Sequence, residues 1–192
     1  MGILVNTLRT VLIALIILHI CKKSFKPAKN ATLVFVLTFF PALLAEIFGV
    51  IIDPIGESLY HIIVFAAIYL GGTHGFYDKY SWWDMMIHFL SGIAFVSFGV
   101  ALSIHAAALS RMSILFFCLT LSVFLHVIWE IAEYICDSFM RTNHQRWQKH
   151  HYSVNHKSES AIQTAGLVDT MNDTIICISG TLTACIAWWF IL

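Results

Sequence analysis

Charge is what this chain has least of. Only 11% of its 192 residues are Asp, Glu, Lys or Arg and 59% are hydrophobic, whereas soluble domains carry roughly 25% charged residues. An ordinary water-soluble globule is excluded. The formal net charge is zero, so the chain has no electrostatic footprint for nucleic acid. Alternating segments of about ten residues, which a transmembrane barrel requires, are also missing. The five cysteines show no CxxC or other ligand spacing, which argues against a disulfide framework and a thiolate-rich metal site. Cys118, Cys177 and Cys185 within apolar runs, and Cys21 and Cys136 near the ends of runs, read as reduced packing residues. No basic residue precedes Arg9 and no A-x-A-like cleavage site follows the first apolar run. That run is expected to be a retained span rather than a signal peptide.

What is present is a series of long apolar runs, at approximately 3–20, 31–52, 56–71, 84–105, 112–136 and 167–192. Most approach the roughly 20 residues that a helix needs to cross a bilayer. They predict an all-α fold, a polytopic transmembrane helical bundle of six spans in a single integral membrane domain over residues 1–192. Nine of the eleven basic residues fall on one side of that arrangement: Lys22, Lys23, Lys26, Lys29, Lys79, Arg141, Arg146, Lys149 and Lys157. Arg111 lies opposite, and Arg9 lies in or near the first span. The asymmetry predicts a cell-membrane protein with that side cytoplasmic and both termini extracytoplasmic. Membrane lipids are the expected partners, with the lysines around Pro27 at anionic headgroups and Tyr77, Tyr80, Trp82 and Trp83 forming an interfacial belt.

The acids within the runs carry the chemical information. His126, Glu130, Glu133 and Asp137 follow at intervals of four, three and four, which puts them on one stripe of a helix. Asp84 and His88 sit one turn apart at the start of span four, as do Asp169 and Asp173 at the start of span six. Asp84 and Asp169 are also explicable as helix N-caps. Glu46 and His61 lie at similar depth in spans two and three; they read either as a pair or as isolated groups with no catalytic role. Because spans four and six start on the side where span five ends, His88, Glu130 and Asp173 should share a depth roughly 5–10 Å inside the membrane boundary.

Several carboxylates at one depth disfavour one another's ionisation, and no span offers a matching Lys or Arg. A divalent cation bound by His88, Glu130, Glu133, Asp169 and Asp173 would balance them. The oxygen-rich set favours Mg, Mn or Fe over Zn. A metal-free proton-relay network and independent interfacial acids remain as alternatives. Asp84 is placed to orient His88, and His126 lies deeper as a supporting residue. His144, His150, His151 and His156 punctuate the polar stretch 137–166 without histidine-box spacing, and they read as part of a solvated loop that forms a cap or a short surface helix.

The order Asp84-x-x-x-His88-Phe89 with Gly92, Glu130-x-x-Glu133, and Asp169-x-x-x-Asp173 with Gly180 resembles the uncharacterised YjdF-type bacterial inner-membrane proteins. More distantly, it is similar to the VanZ-like family. The resemblance covers about residues 77–184 and implies an integral membrane protein. It departs at Met85, where these families often carry Lys, and in the longer, His-rich loop. Two function classes follow from the residues. One is a metal-assisted enzyme acting on a lipid or lipid-linked substrate, with His88 and Glu130 as catalytic candidates. The other is a non-enzymatic protein that binds or transports a lipid, ion or envelope component.

Overall fold

The computed structural model describes residues 2–103, 109–146 and 164–192, and among them there are helices and turns but no strand. Helix α1 (Gly2–Cys21) turns through left-handed Lys23 into α2 (Phe25–Leu37). Helix α2 starts well ahead of the hydropathy onset, because Lys26 and Lys29 are good helix formers at the surface end of the span. It then breaks, and α3 (Phe40–Phe48) resumes the crossing.

Pro41 explains the break. It has no N–H to give the Leu37 carbonyl, which instead accepts from the Tyr60 hydroxyl at 2.9 Å. The Thr38 carbonyl accepts from Arg9 Nη2 at 2.9 Å and faces His61 Nε2 at 3.2 Å. The Arg9 guanidinium also lies 3.9 Å from the Phe39 ring centroid. Side chains of neighbouring helices thus satisfy carbonyls that lipid would leave bare. His61 is committed to the Thr38 and Glu57 carbonyls while Glu46 is exposed, so the Glu46–His61 pair does not form.

Left-handed Gly49 ends α3, and Asp53 caps α4 (Pro54–Val64) by accepting from the Ile55 and Gly56 amides, each at 3.0 Å. A π-helical stretch, Phe65–Gly71, and the short α5 (Gly72–His74) complete the third crossing; the four-residue α6 (Phe76–Lys79) follows. The last three crossings are α7 (Trp83–Ser103), α8 (Arg111–Met140) and α9 (Ala165–Ile191). Among the described residues the chain is an all-α polytopic bundle with six helical crossings long and apolar enough for a membrane. Large apolar side chains such as Phe116, Phe139, Ile175 and Phe190 point outward, as a lipid-facing surface requires.

Helix α7 is the hub, packed on α4, α8 and α9. Glycine makes the close approaches. A methyl group at Gly92 would run into the Cys177 carbonyl of α9, and one at Gly180 would run into the Phe89 carbonyl of α7. Gly99 abuts Cys118 of α8. These are backbone contacts of the small-residue kind that packs membrane helices. Cys118 and Cys177 are buried and all five thiols are free. The hub therefore brings the starts of α7 and α9 against the final turns of α8.

Candidate functional site

At that junction, six sequence-predicted residues converge from three helices. His88 Nε2 lies 3.5 Å from Asp84 Oδ1 and 3.7 Å from Asp173 Oδ2. His126 Nε2 lies 3.5 Å from Glu130 Oε1 and 3.1 Å from the Thr174 hydroxyl. The two imidazoles meet edge to face, with centroids 5.2 Å apart. Two overlapping groups have ligand atoms within 4.8 Å of one another: His88, His126 and Glu130, and Asp84, His88 and Asp173. His88 is common to both. Asp169, the sixth, lies at the rim beside Arg146.

Glu130 is the unusual member. Its side chain is only 8% exposed, yet neither carboxylate oxygen closes a hydrogen bond. Thr170, whose hydroxyl accepts from Gln145 Nε2 at 3.0 Å, faces the same carboxylate. Buried polar atoms are nearly always satisfied, so an unsatisfied pair beside two imidazoles is an opening for a ligand. The environment is otherwise polar in an ordered way. Below Glu130, Ser122 and Thr181 share a 2.6 Å hydrogen bond, and Thr181 also donates to the Cys177 carbonyl of its own helix.

Glu133 takes a different place. It lies on the half-buried flank of α8, where Oε1 accepts from Trp129 Nε1 at 2.8 Å, and it belongs to neither group. Thr164 occupies the N-cap of α9. Asp169, one turn inside, therefore does not cap that helix. Asp137 is not a ligand candidate but an anchor. Its Oδ1 accepts from the Thr142 hydroxyl at 2.7 Å and the His144 amide at 2.8 Å, and Oδ2 accepts from the Gln145 amide at 2.9 Å. These bonds fold residues 141–146 back over the end of α8, with Arg141 and Arg146 in left-handed conformation. His150, His151 and His156 lie outside the described residues.

The folded-back strap delivers a cation to the carboxylates of the site. Arg146 Nη2 lies 2.8 Å from Asp84 Oδ2 and 3.5 Å from the Tyr77 carbonyl, and its Nε lies 3.9 Å from Asp169 Oδ1. Sequence reasoning missed this residue, because a loop arginine among other basic residues carries no periodic signal. It also missed Tyr77 as a site neighbour. The Tyr77 ring fills the space over Gly71, and burial, reinforced by the charges of Asp84 and Glu133, pushes its phenol above the ordinary value. Thr170, Thr174, Cys177 and Thr181 were detectable: they repeat the four, three, four spacing of the α8 stripe that they face.

The comparisons with known proteins bear on family, not chemistry. No curated protein and no solved structure matches the chain. The family match does not extend to the VanZ-like resemblance. A family model described as a predicted membrane protein, DUF2238, matches residues 4–192. With six apolar crossings and nearly its whole length inside that match, the chain belongs to this YjdF-type membrane protein family.

Proposed function

We propose that His88, His126 and Glu130 hold a divalent cation, and that the site performs metal-assisted chemistry on a lipid or lipid-linked substrate. The observation that carries this reading is the buried, unsatisfied Glu130 carboxylate within ligand distance of two imidazoles. The donor set fits such a guest. Two imidazoles and a carboxylate suit Fe, Mn or Zn, a more nitrogen-rich set than the sequence suggested, and one that disfavours Mg. A bound cation supplies polarisation of a phosphoryl or carbonyl oxygen. Asp84 and Asp173, both directed at His88 Nε2, fix the orientation of its ring. The aromatic cluster of Phe76, Tyr80, Trp82 and Trp83 beside the site suits the headgroup level of a bilayer. With seven basic residues among the described ones on the same side, we assign that face to the cytoplasm and both termini to the outside.

The test is metal analysis of purified full-length protein together with lipid turnover in vesicles. Wild type should retain about one divalent ion per chain, and Glu130→Gln should lose it. If wild type retains none, the metal reading fails. Retention without turnover of phospholipid or prenyl-phosphate substrates would move the protein to the binding or transport class.

A further inference from the structure

The two ligand groups share His88 and therefore compete for one cation. On oxygen count alone the group Asp84, His88 and Asp173 would attract a hard cation more strongly, with two carboxylates against one. Arg146 changes that balance. Its guanidinium is 2.8 Å from Asp84, and both side chains are only 13% exposed, so the ion pair is largely shielded from water. The pair is held from behind by the strap: Asp137 accepts from Thr142, His144 and Gln145, and Gln145 Nε2 donates to Thr170 of α9. Glu130, in contrast, has no cationic side chain within ion-pair distance among the described residues except the titratable His126.

We propose that Arg146 is a positioning residue that selects the cation's seat: by engaging Asp84 it withdraws that carboxylate as a ligand and directs the cation to His88, His126 and Glu130. This rests on the metal reading above. A built-in guanidinium takes the place of a cation at the oxygen-rich group, so the protein's metal preference depends on a residue that touches no metal. The consequence is a site that favours imidazole-loving ions over Mg.

The experiment is titration of purified full-length protein with Zn²⁺ and, separately, Mn²⁺, following stoichiometry and affinity. Wild-type binding should be abolished by Glu130→Gln and only weakened by Asp84→Asn, which loosens the His88 ring without removing a ligand. Arg146→Gln should bind Mn²⁺ about tenfold tighter or more, since a unit charge has been removed from beside the carboxylate, and that binding should now require Asp84. Arg146→Lys should restore the wild-type pattern. Asp137→Asn, which keeps the guanidinium but loosens the strap, should move Mn²⁺ affinity in the same direction by less, and it serves as the readout if Arg146→Gln does not fold. Unchanged Mn²⁺ affinity with continued dependence on Glu130 in both strap variants would overturn the proposal and leave Arg146 a structural strut. Wild-type binding that depends on Asp84 rather than Glu130 would also overturn it. No binding by wild type would instead bring down the metal reading itself, and this inference with it.

Discussion

Replacing Glu130 by methionine should change the stability of the protein in opposite directions with and without metal. The side chain is buried and its two oxygens make no hydrogen bond, so in the metal-free protein it is a cost of about 1–3 kcal/mol. Methionine is unbranched, similar in length and adaptable; it removes the cost without opening a large cavity. Metal-free Glu130→Met should therefore be the more stable protein. At about 2–4 °C per kcal/mol for a chain of this size, the gain is about 2–12 °C in Tm. Adding cation at a hundred times its Kd contributes about 2.7 kcal/mol to a protein that binds it, or about 5–11 °C for wild type and nothing for the variant. The order of stabilities should invert or close. Thermal unfolding in detergent, followed by tryptophan fluorescence with and without Zn²⁺ or Mn²⁺, measures all four states. The reasoning fails if metal-free Glu130→Met is less stable than wild type, which would mean that the carboxylate is already well paired. It also fails if both proteins gain the same stabilisation from the ion.

Tyr60→Phe should cost about 1–3 kcal/mol by stranding the Leu37 carbonyl, and Pro41→Ala, which restores a donor to that carbonyl, should erase the cost; a double-mutant cycle in chemical denaturation reads the coupling. Gly180→Ala forces a methyl into the Phe89 carbonyl and should destabilise by about 1–3 kcal/mol, whereas Gly2→Ala, with nothing within 4 Å, should stay within about 0.5 kcal/mol of wild type. Asp137→Ala removes a charged acceptor worth about 1.5–3 kcal/mol, so hydrogen exchange at the His144 and Gln145 amides should accelerate about tenfold to a hundredfold.

The crossings and their helical character were legible because apolar length is written residue by residue along the chain. The meeting of Asp84, His88, Glu130 and Asp173 was legible for a related reason: alternating chain direction fixes which helix ends share a depth. Which side chain turns inward was harder. Glu133 and Glu130 are only three residues apart, yet one bonds Trp129 on the flank and the other is sealed in the centre; the stripe they share is wider than the site. His126, one turn deeper, meets His88 directly, because α7 and α8 pack closely, with Gly99 set against Cys118. Arg146 was illegible from pattern, since its position depends on Asp137 gathering three donors from a turn that hydropathy treats as loop.

The reciprocal contacts of Gly92 and Gly180 also constrain traffic. Two helices whose backbones touch at two successive levels cannot part to admit a solute without losing both contacts at once, which makes breathing between α7 and α9 a rare event. That seam is then a poor way in, which leaves the end of the bundle, at Arg146 and the turn that Asp137 gathers, as a route to the site. A guest held at Glu130 would exchange on the clock of that turn, and its residence time would respond to Asp137, a residue that never meets it.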